Sequence, residues 1–230
     1  MNSETDTVRR RTGASKAQQR QASIDLLLQA ALSLFVSQGY RSTNLEQISG
    51  AARLTKGAVY FYFGSKEAVL TELLKRVEHI VLDLALGAAL AAGEAPRDRL
   101  VAYVHYQANL GITARDEVLL LILMSLEFKE KDGAVRDTIR GLYARQRNFM
   151  VELIEQGQGS GDFRSDLPAR ELAALVLAAH DGTFLEWFRR DEQLSGADLV
   201  RALRGVVLEG LALPVVPAGG PRTLRRAAAT

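Results

Sequence analysis

Leu54-Thr-Lys-Gly-Ala-Val-Tyr-Phe-Tyr-Phe-Gly-Ser-Lys-Glu-Ala-Val-Leu70 decides how the chain is read. Thr55 is a good helix N-cap, so a very short helix spans about Lys56 to Tyr62, and Ser65 with Lys66 opens the next one. Val59 points toward a core, while Lys56 and Tyr60 share the opposite face at i and i+4. A buried segment has no use for Lys56 and Gly57 beside Tyr60 and Tyr62. A helix tip pressed against a phosphate backbone does: lysine supplies charge, glycine permits close approach, and tyrosine hydroxyls reach phosphate oxygens. The competing interpretation, two short core helices with incidental polar residues, leaves the coincidence of cap, turn and basic-aromatic pattern unexplained.

Working outward, Thr43-Asn-Leu-Glu46 reads as a capping box, with Thr43 capping the helix and Glu46 reaching back. Leu45, Ile48 and Ala52 then fall on one face of a helix from about Asn44 to Ala52. Arg53-Leu54 makes the turn into the next helix, which completes a helix-turn-helix. Upstream, Ile24, Leu27, Leu28, Ala31, Leu34 and Phe35 form the buried stripe of a helix over about Gln19 to Gln38, and Gly39 stops it.

These residues resemble the N-terminal domain of TetR/AcrR-type transcriptional regulators. The family's Phe-x-x-x-Gly-Tyr stands here as Phe35-Val-Ser-Gln-Gly39-Tyr40, and its Thr-x-x-x-Ile-Ala as Thr43-Asn-Leu-Glu-Gln-Ile48-Ser49. The closing pattern is Thr55-Lys-Gly57-Ala-Val-Tyr60-Phe-Tyr62-Phe63-Gly-Ser-Lys66-Glu67. The match covers about fifty residues, from 21 to 70; beyond Leu70 only length and helical character agree. Two departures stand out: Arg53 occupies a turn position that usually carries Gly, and Ser49-Gly50 replaces a small residue-alanine pair. The resemblance implies an all-α protein of about nine helices, with an N-terminal DNA-binding domain and a C-terminal helical domain for ligand binding and dimerisation. It further implies that Thr55, Lys56, Gly57, Ala58, Tyr60, Phe61 and Tyr62 face DNA. Thr43 and Lys66 are expected to hold phosphates at helix N-termini, where free amides favour anions.

Composition agrees with this. The chain has 230 residues, 47% of them hydrophobic, which is ample for a core. Five prolines, none before Pro96, and an abundance of Ala and Leu point to helices. Without cysteine there is no disulfide framework and no cysteine-ligated metal. Three histidines, with no metal-spaced pair and no Gly-rich phosphate loop, leave little from which to build an enzyme, and no cofactor is expected. The N-terminus is polar and basic rather than apolar, and runs such as Val118 to Met124 are too short to span a bilayer. A cytoplasmic location with no membrane partner is the expectation. Net charge is +4 over residues 1–80, −5 over 81–211 and +3 over 212–230. A basic head on an acidic body is expected when only the head meets nucleic acid.

The organisation follows. Residues 1–18, with Arg9-Arg10-Arg11, read as a disordered basic arm, either a solubilising tail or a minor-groove contact. Residues 19–66 form the DNA-binding domain, a connecting helix runs over 66–92, and 67–211 form the effector and dimerisation domain. Residues 212–230 read as a disordered tail. Along the connecting helix, Leu70, Leu73, Leu74, Val77, Val81 and Leu84 keep helical spacing. Further helices are expected over about 96–113, 115–128, 134–156, 168–190 and 196–211, with Gly157 to Gly161 as a flexible loop. Large aromatics and scarce polar groups mark an effector pocket: Tyr103, His105, Tyr106, Asn109, Met124, Phe128, Phe149, His180, Phe184, Trp187 and Phe188. Taken singly, each is more simply read as ordinary core. The helix after Pro168 is apolar all round, so one face is expected against a second subunit. Leu172, Leu175, Val176 and Ala179, with Leu199, Leu203, Val206 and Val207 of the last helix, are the candidates for an isologous dimer. The function expected is a homodimeric repressor of a near-palindromic DNA operator, released by a hydrophobic or amphipathic small molecule. An activator of the same fold, or a helical ligand-binding module that no longer binds DNA, are the alternatives.

Overall fold

A computed structural model describes residues 4–190 and 193–211, with side chains from residue 15 onward. Nine helices and no strand occur among the described residues. They are α1 (Glu4–Gln38), α2 (Leu45–Ala51), α3 (Lys56–Tyr62), α4, α5 (Pro96–Thr113), α6 (Arg115–Glu127), α7 (Ala134–Ser160), α8 (Ala169–Arg189) and α9 (Gly196–Leu211). Helix α4 is one rod in three parts: α-helical Lys66–Glu78, a π-helical turn His79–Asp83, and α-helical Leu84–Ala91. No described helix is long and apolar enough to cross a membrane.

Local chemistry accounts for the helix ends. Thr55 and Ser65 accept from the Ala58 and Ala68 amides at 3.3 and 3.1 Å, as N-caps should. Gly39 ends α1 with φ +88°, a conformation glycine adopts without penalty. The α2–α3 turn needs the same left-handed backbone, and there Arg53 supplies it at φ +55°, the one non-glycine residue with positive φ among the described residues.

Three expectations are corrected here. The capping box on α2 belongs to Asn44 and Gln47, not Thr43 and Glu46: Asn44 Oδ1 accepts from the Gln47 amide at 2.9 Å and Gln47 Oε1 from the Asn44 amide at 2.8 Å. The box is displaced by one residue because Thr43 is buried and faces inward. Helix α1 extends back to Glu4 rather than starting near Gln19. Residues 15–22 of it are all exposed, so propensity rather than packing supports these two turns of the helix. Helix α7 continues through Gly157 to Ser160 instead of breaking into a loop. Gly157 is there for packing: a Cβ on it would lie 2.0 Å from the Phe163 ring, which folds back over the helix end.

Two hydrophobic clusters divide the interior. The first joins α1, α2, α3 and the first part of α4 to α6 and the start of α7, through Leu27, Phe35, Ile48, Leu70, Leu74, Leu120 and Leu142. The second gathers Ala85 and Ala89 of α4 with Leu100, Tyr103, Met150, Ile154, Leu172, Val176, Leu203 and Val207. The π turn lies where α4 passes from one to the other. It inserts an extra residue into the helical period, so the buried stripe that runs through Leu70, Leu74, Val77 and Val81 resumes at Ala85 and Ala89. Leu84, expected in that stripe, is 44% exposed.

Arg53 carries a Cβ into a backbone region that costs an L-residue roughly 1–2 kcal/mol. Glycine recovers most of that and loses some to its freer unfolded chain. Arg53→Gly is therefore expected to raise the unfolding free energy by about 0.5–1 kcal/mol, read from urea denaturation; a lower midpoint would show that the guanidinium stabilises the turn.

Candidate nucleic-acid interface and effector cavity

Helix α3 is a projecting tip. Val59 alone is buried, and it anchors the helix to Ile48 and the first cluster. Phe61 is 80% exposed and Tyr60 46%, while Thr55, Lys56 and Gly57 are exposed and Ala58 and Tyr62 half-buried. The two rings form an open aromatic surface beside Lys56. An added Cβ on Gly57 would meet only Thr55 Oγ1 at 3.8 Å, so internal packing does not require glycine there. Lys56 pairs with the Glu46 carboxylate and lies 5.8 Å from the centre of the Tyr60 ring. The Glu46 hydrogen bond raises the Lys56 pKa above its ordinary value, and the same bond lowers that of Glu46. The cation is thus held on the exposed face in its charged form.

Thr43 and Lys66 do not join this surface, which corrects the roles expected for them. Thr43 is 1% exposed, and its hydroxyl donates to the Gly39 carbonyl at 2.9 Å. Lys66 turns inward: Nζ donates to the Tyr40 and Thr43 carbonyls, each at 2.7 Å, and lies 4.3 Å from the centre of the Tyr40 ring. Burial pulls its pKa below the ordinary lysine value. Lys66 is a clamp that satisfies the carbonyls between α1 and α2 and locks α4 to them.

A cavity of about 330 Å³ opens between α5, α8 and α9. His105, Asn109, His180, Phe184 and Trp187 line it, as expected. The other expected pocket residues lie elsewhere. Met124 is in the first cluster, and Phe128 packs edge-on against Tyr40, 5.3 Å between ring centres. Tyr103 is buried in the second cluster with Phe149 stacked 5.8 Å away, and Tyr106 donates to the Ile80 carbonyl at 3.0 Å. Phe188 is outside the lining and partly exposed. Sequence reasoning missed Gln107, Thr183, Ile112, Leu199 and Val200 in the walls. For Gln107, Ile112 and Thr183 the only signal was a position within two helical turns of an aromatic; Leu199 and Val200 had none, since α9 carries no aromatic. Burial pushes the Tyr103 hydroxyl up to about 12, so it stays protonated at any physiological pH.

The expected dimer residues split. Leu172, Val176, Leu203 and Val207 are buried within the chain, and Ala179 and Leu199 are half-buried. Only Leu175, 65% exposed, and Val206, 72% exposed, point outward. Ala174, Ala178 and Gly182 continue that outer face on α8, and Ala202 and Gly210 on α9. A helix apolar on all sides does not reveal from its sequence which stripe faces its own core.

A capped three-helix head with a basic, aromatic tip, carried on a helical body with its own cavity, defines a helix-turn-helix DNA-binding regulator. Comparison with known proteins gives the family: residues 27–73 match bacterial regulatory proteins of the tetR family, and 96–212 match the C-terminal domain of BetI-type transcriptional repressors. The chain belongs to the TetR family. The crystal structure of the MbdR regulator from Azoarcus sp. CIB is 41% identical, covers 83% of this chain and 100% of that one, and superposes with a TM-score of 0.75. The transcriptional repressor KstR2 of Rhodococcus jostii (strain RHA1) is 29% identical over 82% of this chain and 90% of its own. The fatty acid metabolism regulator of Bacillus subtilis (strain 168) is 25% identical over 80% of this chain and 90% of its own. These relatives are transcriptional regulators rather than enzymes.

Removing the Lys66 ammonium strands buried carbonyls, each at the cost of a lost charged hydrogen bond. Lys66→Met is expected to lower stability by about 1.5–3 kcal/mol in urea melts. A variant of unchanged stability that bound DNA less well would instead restore a phosphate role to this residue.

Proposed function

We propose that the chain is a homodimeric repressor that occupies a near-palindromic operator and leaves it when a hydrophobic or amphipathic small molecule fills the cavity between α5, α8 and α9. The observation that carries the DNA-binding part is the open face of α3, where Lys56, Gly57, Tyr60 and Phe61 stay exposed together, with the Lys56 cation held beside the Tyr60 ring. Two such tips related by a two-fold axis fit successive major grooves, and most of their contacts position the protein on phosphates. Ala58 is placed to touch a thymine methyl and Lys56 to reach a guanine. Thr55 and Tyr62 flank these contacts. Such a regulator works where the DNA is, in the cytoplasm.

The cavity supports an apolar effector with a small polar end. Ile112, Val118, Phe184, Trp187, Leu199 and Val200 supply apolar walls, and His105, Asn109, His180 and Thr183 supply scattered polar groups. A relative named as a fatty acid metabolism regulator fits a ligand of that character. The dimer is built on the outer faces of α8 and α9, with Leu175 and Val206 at its centre and small residues around them.

Lys56→Ala and Tyr60→Ala are each expected to weaken operator binding by about 1–3 kcal/mol, and Lys56→Ala to flatten the salt dependence by about one unit of slope. Gel-shift titrations of the chain against its own upstream DNA at several salt concentrations read both. Affinity equal to that for random DNA, insensitive to either change, would favour a ligand-binding module over a repressor. Leu175→Glu with Val206→Glu places charges in the middle of the proposed dimer face. Sedimentation velocity at micromolar concentration should then report a single-chain mass, and a persisting dimer would move the interface elsewhere.

A further inference from the structure

Gln107 lines the cavity and also hydrogen-bonds the π turn of α4. It lines the cavity wall from α5 and is 3% exposed. Its amide nitrogen donates to the Val81 carbonyl at 2.8 Å and to the Tyr103 hydroxyl at 3.2 Å, which uses both N–H bonds. Only the nitrogen can donate to a carbonyl, so the side-chain orientation is determined. Its oxygen has no hydrogen-bond partner among the described residues, yet is not sealed in. Gln107 lines the cavity, and with both N–H bonds engaged its amide oxygen is the polar atom left over for an occupant. Behind it, the Tyr103 hydroxyl accepts a second bond from Gln146 on α7 at 2.8 Å.

The carbonyls that receive these bonds are those of the irregular turn. A π turn gives up the regular i→i−4 ladder and leaves backbone groups in need of other partners. Here the Leu84 amide reaches back to the His79 carbonyl, Tyr106 donates to Ile80 and Gln107 to Val81. Arg145 bridges the two sides of the turn, bonding Glu78 and, at 2.7 Å, Asp83. On one side α4 is fastened to the DNA-reading head by Lys66 and by Arg76, which bonds Asp25 at 2.6 Å. On the other side Ala85 and Ala89 belong to the second cluster.

We infer that Gln107 is the specificity and coupling residue of the cavity: its oxygen reads a hydrogen-bond donor on the effector, and its nitrogen holds the π turn that sets the angle between head and body. This rests on the cavity being the effector site. A ligand hydroxyl, amide or protonated acid that draws the Gln107 amide toward itself removes the donor from Val81. The freed carbonyl then finds its partner in the regular ladder, and the turn relaxes toward α geometry. Rewinding these five residues rotates and lengthens α4 between its two fastened ends, and the spacing of the paired α3 tips changes with it. The coupling follows from a ligand that binds one turn geometry better than the other.

The test uses the intact protein without any effector. Amide hydrogen exchange by mass spectrometry is followed over residues 79–86 in the wild type, Gln107→Leu, Gln107→Asn and Thr113→Val. Operator affinity is measured in parallel. Leu fills the same volume without donors, and Asn keeps the amide but draws it back by one methylene; Thr113 is an exposed residue of the same helix, outside the cavity lining. Expected are exchange at least about fivefold slower over 79–86, as the turn closes into the regular ladder, and operator affinity at least about fivefold weaker in both Gln107 variants, with neither change in Thr113→Val. Exchange over 79–86 unchanged or faster in Gln107→Leu and Gln107→Asn overturns the inference. Slower exchange with unaltered operator affinity also overturns it, because the turn would then be a passive irregularity. A cavity that binds none of a panel of fatty acids, sterols and aromatic acids in a fluorescence displacement assay would sink the effector reading instead. It would leave the exchange result standing.

Discussion

One helix has to serve two cores at once, and the rest of the molecule is arranged around that constraint. The first half of α4 buries Leu70, Leu73, Leu74 and Val77 against the head; the second half buries Ala85 and Ala89 against the body. A strict α-helical period cannot keep both stripes aligned with partners set by two separate packings. The π turn at His79–Asp83 takes up the difference with one additional residue in the turn. The irregular backbone is satisfied by side chains from α5, and an ion-paired Arg145 spans it. A passive spacer would do without these supports, whereas a joint between two packed bodies requires them.

The head keeps its DNA-facing chemistry separate from its own construction. Thr43 and Lys66 spend their polar groups on carbonyls around Gly39 and Tyr40, so the turn between α1 and α2 is held by the head's own side chains. Val59 and half-buried Tyr62 anchor α3, while Lys56, Gly57, Tyr60 and Phe61 stay on its open face. Arg53 shows the opposite case, a residue tolerated at positive φ where glycine is the unstrained choice.

What was legible in the sequence follows from which signals are local. Most helix boundaries from α2 onward were readable to within a residue or two because caps, glycines and prolines act locally; the end of α7 was not, because Gly157 there serves packing rather than termination. The exposure of the α3 tip was readable because glycine, lysine and aromatics together have no core explanation. Thr43 and Lys66 were misassigned because a threonine or lysine at a helix start looks the same whether its polar end turns out to phosphate or in to a carbonyl. Leu84 was placed in the buried stripe because a period carried forward from Leu70 cannot detect an inserted residue. Half of the expected pocket turned out to be core, since large aromatics mark burial without saying whether a void lies beside them. The dimer stripe was split for a related reason: Leu172 and Leu175 are equally apolar, and only the packed chain distinguishes inside from outside.

The way the interior divides has a practical meaning for building hybrids. Helix α6 and the start of α7, though late in the chain, form the floor of the head: Leu120, Leu121 and Leu142 share a cluster with Phe35 and Ile48, and Phe128 meets Tyr40. Severing the chain after α3, or at either end of α4, would strip that floor away and expose its apolar surface. The transplantable DNA-reading module is discontinuous, and a graft onto another sensor has to bring its α6 surface along or supply a matching one.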